Sequence, residues 1–169
     1  MLAADDFWYS MKKRPIHNVH SEHSQKMPHL VIYYTPQLDN ETDMSALCRT
    51  LANTMQTIQD EAGKQVFPTG GTRVLAYPAK HFAVADDGSA SRAAGGSGDY
   101  AFMYLNVRMG RGRSEASQQR AGETLAQVVK DHFTELFAKR HIGITLQVDV
   151  GAEVFDSKHS NIHPLFAKP

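Results

Sequence analysis

Three short stretches hold residues able to move a proton or grip an anion. The first is Met27-Pro28. Inside a chain the Pro28 nitrogen is an amide with no useful basicity; at a chain start it is a secondary amine. An α-amino group titrates near ~7.7–8.0, a secondary amine higher. Burial or nearby cations lower the value again by disfavouring the charged form. A base poised near operating pH suits proton transfer and typically contributes ~10²–10⁴-fold in rate. The plainer reading is a proline that opens a strand, where its missing N–H does little harm. On the Met-Pro pair alone, the plainer reading carries more weight.

The second stretch is Gly110-Arg111-Gly112-Arg113-Ser114, between a strand pattern and a helix start. Free N–H groups and the helix dipole favour an anion there. Arg113 adds a bidentate grip on a carboxylate, and the glycines let the chain turn. It is not a P-loop, because no Gly-Lys-Ser/Thr follows at the right spacing. A tight turn with solvated arginines is the alternative. The third is Arg73, a cation inside an otherwise apolar pattern. Such a cation is paired, at an interface or in a site, or else lies on an edge strand with its stem along the sheet.

Other reactive types are set aside. His17, His20 and His23 recur every three residues in a polar segment without periodicity, and read as an accidental cluster rather than a metal site. His132 and Cys48 fall on apolar helical stripes and read as packed residues. No metal or organic cofactor is called for.

The elements that must position these residues follow from periodicity. Pro28 to Tyr34 is a short apolar run rich in β-formers, hence a strand. After a turn over Pro36 to Thr42, Met44, Leu47, Cys48, Leu51, Met55 and Ile58 fall at helical spacing, with Asp43 as N-cap and Gly63 as stop. Thr72 to Tyr77 is a second strand, and His81 to Ala85 a short third piece. Asp86 to Asp99, rich in Gly, Ser and Ala, is expected to be a flexible surface loop. Tyr100 to Met109 alternates cleanly, with Ala101, Met103, Leu105, Val107 and Met109 on one face and aromatic or polar residues on the other. That second face suggests another subunit.

Ser114 to about Arg140 is expected to be one long helix, with Ala121, Leu125, Val128, Val129, His132, Phe133, Leu136 and Phe137 as its apolar stripe. Ile142 to Val150 is the last strand. Residues 151–169 are expected to be irregular, with a small apolar anchor at Ile162, Leu165 and Phe166. The fold class is α+β: a duplicated β-α-β, giving one mostly four-stranded sheet with two helices on one face.

Bulk composition agrees with one soluble domain. Of 169 residues, 41% are hydrophobic and 21% charged, enough for a real core. Lys plus Arg number 18 and Asp plus Glu 18. A nucleic-acid partner, which calls for a basic surplus, is therefore not expected. The single cysteine excludes an internal disulfide framework. No apolar run approaches the ~20 residues that cross a bilayer. Residues 1–27 read as a disordered or non-native extension, and 28–169 as a single domain.

The segments PHLVI, FPTGGTR, DYAFMYLNVRMGRGRS, SQQRAGETL, KDHF and SNIHPLF together resemble the tautomerase superfamily, whose fold is that of macrophage migration inhibitory factor. Within it they resemble the family of 5-carboxymethyl-2-hydroxymuconate Δ-isomerases. The GRGRS turn followed by QQ-AGE is the specific part. The resemblance implies a cytoplasmic homotrimer with sites at subunit contacts, acting on a small carboxylated dienol, a tricarboxylate from aromatic ring cleavage in homoprotocatechuate breakdown, and moving the proton of its 2-hydroxyl to C5. It implies an N-terminal proline as proton shuttle, which falls on Pro28, and two active-site arginines, which fall on Arg73 and Arg113. The loop before Asp99 is longer than the family's, so its fit over the site is open. Translation is expected to start at Met27, which frees Pro28. A tautomerase for another enol, or a catalytically silent trimer that keeps the extension, are the alternatives.

Overall fold

The computed structural model describes residues 28–151 and 161–166. The extension 1–27, with its three histidines, lies outside them. The strands are β1 (His29–Tyr34), β2 (Arg73–Pro78), β3 (Ala101–Gly110) and β4 (Ile142–Gly151). They form one sheet in the order β2-β1-β3-β4. Strands β1 and β2 are parallel, β1 and β3 antiparallel, and β3 and β4 parallel. Each parallel pair is the product of one β-α-β crossover, so the duplication expected from the sequence is present.

Two helices fill the crossovers: α1 (Met44–Thr57) and α2 (Glu115–His132). Their apolar stripes meet the same sheet face. Leu47, Leu51 and Met55 from α1, and Ala121, Leu125 and Val129 from α2, share one core with Leu30, Ile32, Met103, Leu105 and Val107. Burying each of the Leu, Ile, Met and Val side chains is worth ~1.5–3 kcal/mol, so this layer holds the domain together. No helix of the described residues packs on the opposite sheet face. Tyr33 is 53% and Tyr77 47% exposed there, and their rings stack at 6.0 Å.

Several boundaries differ from expectation. Helix α1 stops at Thr57, not near Gly63. Ile58 turns extended to bury its side chain. Gly63, at φ 75°, instead serves the following turn, in which the Asp60 carboxylate accepts from the Ala62 and Lys64 N–H groups. The long helix also breaks. Phe133, fully buried, leaves the helical region at ψ 4°, and a short helix α3 (Thr134–Phe137) follows. The break moves Phe137 off the stripe and leaves it exposed. His81 to Ala85 forms no strand.

The Asp86–Asp99 segment is not a plain loop. It holds a helical turn (Ser89–Ala93), and Ser91 within it is buried. The Ser91 hydroxyl shares a 2.9 Å hydrogen bond with His141 Nδ1 and accepts from the Gly98 N–H. A Cβ on Gly88 would lie 1.9 Å from the Gly98 carbonyl oxygen. The glycines here serve close approach and positive φ rather than flexibility. At the far end, Leu165 is 76% exposed and Ile162 and Phe166 about half, so the expected apolar anchor is not buried within this chain. Among the described residues no helix is long and apolar enough to cross a membrane.

Candidate active site

The topology gathers the three candidate stretches at one end of the sheet. Strand β1 is flanked on both sides, and its first residue, His29, is in register with Arg73 of β2 and Arg108 of β3. Pro28 precedes His29 and is buried. Because β2 runs parallel to β1, its start lies beside Pro28. Because β3 runs antiparallel, its end lies there too, and the chain continues directly into Gly110–Ser114. Pro28, Arg73 and Arg113 are thus brought to the same edge from three separate parts of the chain.

Arg113 is held firmly. Its Nε and one terminal nitrogen both donate to the Val66 carbonyl, at 3.0 and 2.8 Å, and the other terminal nitrogen donates to the Gly110 carbonyl at 3.1 Å. Three of its five N–H donors are spent on orienting the group. Gly112, at φ 101°, makes the turn that aims it. The Gln118 side chain donates to the Arg113 carbonyl at 2.8 Å and fixes the backbone. Burial pushes the guanidinium pKa down, yet an arginine stays charged. A half-buried, pre-oriented cation is suited to a carboxylate ligand. Arg73 is half-buried, with one terminal nitrogen donating to the Gly70 carbonyl at 3.1 Å.

The start of α2 behaves differently from expectation. The anion at this helix end is the chain's own Glu61. Its carboxylate accepts from the Ser114 hydroxyl at 2.8 Å and the Ser117 hydroxyl at 3.0 Å, with Arg120 at 3.3 Å. Its own backbone N–H, then the two serines, hold its carboxyl below the usual range. Ser114 also caps the helix by accepting from the Ser117 N–H. The two serines are therefore engaged internally, and Arg113 has N–H donors left over. Glu61 was missed in the sequence. The one signal for it is Ser117 at the third helical position, where a capping box would place its own Glu or Gln.

The remaining candidates are structural. His132 Nε2 and Thr42 Oγ1 share a 2.7 Å hydrogen bond, and Cys48 packs against the core with its thiol pKa pushed up by burial. The Asp86–Asp99 segment leads into β3 beside the end of β1, where the Thr35 N–H donates to the Phe102 carbonyl. Within its own chain it lies a strand length from Pro28 and does not cover that end. Among the described residues no group of three His, Cys, Asp or Glu side chains is placed to hold a metal.

Comparison with known proteins follows the same boundaries. The family model for 5-carboxymethyl-2-hydroxymuconate isomerase matches residues 28–166, so its first matched residue is Pro28. A 5-carboxymethyl-2-hydroxymuconate Delta-isomerase from Escherichia coli is 27% identical over 140 residues, 83% of this chain and 99% of the relative. A crystal structure of a 5-carboxymethyl-2-hydroxymuconate delta-isomerase superposes with a TM-score of 0.83 at 61% identity, covering 86% of this chain and 96% of the other. That of a 5-carboxymethyl-2-hydroxymuconate isomerase from Deinococcus radiodurans R1 gives 0.70 at 32% identity, covering 85% and 97%.

Proposed function

The chain belongs to the 5-carboxymethyl-2-hydroxymuconate isomerase family, and from that premise we propose that the Pro28 amine moves the proton while Arg73 and Arg113 anchor the substrate. The activity is isomerisation. The observation that carries the site is the coincidence of two boundaries: the family match opens at Pro28, and Pro28 directly precedes the strand whose first residue is in register with Arg73, at the sheet end where β3 runs on toward Arg113.

The reaction balances without an outside reagent. The amine takes the proton of the 2-hydroxyl, and the oxygen pair forms C2=O. The C2=C3 pair becomes C3=C4, and the C4=C5 pair takes the same proton back at C5. The product is a 2-oxo-3-ene. Between the two transfers the substrate is a dienolate, whose charge the guanidinium groups stabilise. The same cations depress the amine pKa toward neutrality. This role needs Pro28 as the first residue of the active protein. In that form the enzyme acts in the cytoplasm on a product of homoprotocatechuate ring cleavage.

The helix-free sheet face supports a homotrimer, with the aromatic side chains of Tyr33, Tyr77 and Phe102 covered by neighbouring subunits. Light scattering at three times the chain mass is the expected result.

Two measurements test the catalytic reading together. Intact mass of the protein from its native host is expected to match a start at Pro28. Pro28→Ala is expected to fold normally and lose turnover. A native mass that includes residues 1–26, or full activity in Pro28→Ala, removes Pro28 as the base.

A further inference from the structure

One row of the open sheet face differs from the rest. Arg73 of β2, His29 of β1, Arg108 of β3 and Asp149 of β4 are neighbours in register. By strand alternation all four side chains rise from the face without helices. The next two rows on that face hold no charge: Leu75, Val31, Asn106 and Gln147, then Tyr77, Tyr33, Tyr104 and Thr145. The face's carboxylate, guanidinium and imidazole groups thus gather in the row adjoining Pro28.

Within the row, Arg108 is set up rather than merely present. Its Nε donates to the Asn106 side-chain oxygen at 3.1 Å. Asn106 is only 7% exposed, and its nitrogen donates to the Asp149 carboxylate at 2.8 Å and to the Tyr104 hydroxyl at 3.4 Å. The other Asp149 oxygen accepts from Gln147 at 2.8 Å. Asp149 is therefore engaged with the two amides and makes no direct ion pair with Arg108. The terminal nitrogens of Arg108, which is exposed, hold no hydrogen bond among the described residues. A buried amide fixes the inner edge of the guanidinium and leaves its outer fork unspent. That is the arrangement of a pre-oriented anion grip.

Resting on the site reading above, we propose that Arg108 binds the third carboxylate of the substrate and selects dienols with three carboxylates over those with two. Asn106 is its positioning residue. 5-Carboxymethyl-2-hydroxymuconate carries a carboxylate at each end of its six-carbon chain and one on its carboxymethyl arm. Arg73 and Arg113 answer two of them. Arg108 stands two strand spacings from Arg73, ~10 Å between backbones, a gap that two long side chains bridge through one ligand.

The test compares 5-carboxymethyl-2-hydroxymuconate with 2-hydroxymuconate, which lacks the arm. Arg108→Gln is expected to lower kcat/KM for the tricarboxylate ~10–100-fold, mainly through KM, the range for losing a charged hydrogen-bond pair. Turnover of the dicarboxylate is expected to stay within ~3-fold. Arg108→Lys restores part of the loss, and Asn106→Ala raises KM for the tricarboxylate alone. Equal losses on both substrates, no loss on either, or a changed oligomer mass in Arg108→Gln would each overturn the assignment. The Pro28→Ala variant reports separately. If it stays active the catalytic reading fails, whereas the tricarboxylate-to-dicarboxylate ratio of Arg108→Gln still reads Arg108 itself.

Discussion

The two ends of the sheet are built from similar residues to opposite effect. At the end of β1 away from Pro28, polar groups are turned inward on one another. The side chain of Arg140, 9% exposed, pairs with Glu41 and with Asp99, and Gln37 donates to Asp99 and to the Tyr100 carbonyl. Ser91 and His141 close the same end. At the Pro28 end, Arg113 and Arg73 are fixed by backbone carbonyls and face no carboxylate of their own among the described residues. An arginine paired with acids is scaffold. An arginine held by neutral oxygens keeps its charge for a ligand. The contrast separates scaffold from proposed site more sharply than residue type does.

The largest expected effect lies at the Pro28 end. Replacing Pro28 by Ala is expected to cost ~10²–10⁴-fold in kcat with an unchanged melting temperature. Arg113→Ala is expected next, a loss of ~10²-fold in kcat/KM. Steady-state kinetics on the folded protein checks both. If either lowered stability without touching kinetics, the two ends would not differ as described.

At the opposite end the signs reverse. Arg140→Ala is expected to cost about 1–2 kcal/mol in urea unfolding, less than a buried pair because the carboxylates left behind reach water. Activity per folded molecule should hold. Ser91→Ala is expected to cost about 1 kcal/mol, again without a kinetic change.

The smallest effect is a pH dependence between α2 and the start of α1. Burial lowers the His132 pKa below its ordinary value, with Asp43 opposing. The unfolded chain therefore binds this proton more readily than the folded one. Its contribution to stability is full above ~6.5 and falls as pH drops below that value. His132→Gln is expected to flatten the stability profile on the acid side of ~6.5, measured by urea titration at each pH.

The strands, the parallel pair within each β-α-β half and the helix faces were readable from local periodicity and crossover length, as in the alternation from Ala101 to Met109, whereas the order in which the halves join, through β1 beside β3, was not. Pro28, Arg73 and Arg113, the residues of the proposed site, were picked out by motifs. What escaped reading depends on contacts far apart in sequence. Helix α1 ends where Ile58 finds the core, not where Gly63 would permit. The Asp86–Asp99 segment has the composition of a flexible loop, yet Ser91 is held from His141, fifty residues on. Glu61 reaches the α2 start from 53 residues upstream of Ser114. Arg108 looked like one polar residue on an alternating strand until the register placed it in the row beside Pro28.

Strand β1 is laddered on both sides along its whole length, and its first amine, in the proposed role, is the base. Such a base has no side-chain torsion to freeze, unlike a lysine, whose flexible stem carries about 2 kcal/mol of rotamer entropy. Its aim is inherited from the sheet. The same economy makes the site sensitive to addition more than to exchange: one residue joined ahead of Pro28 turns amine to amide and removes the base. An affinity tag fused there would silence a perfectly folded enzyme.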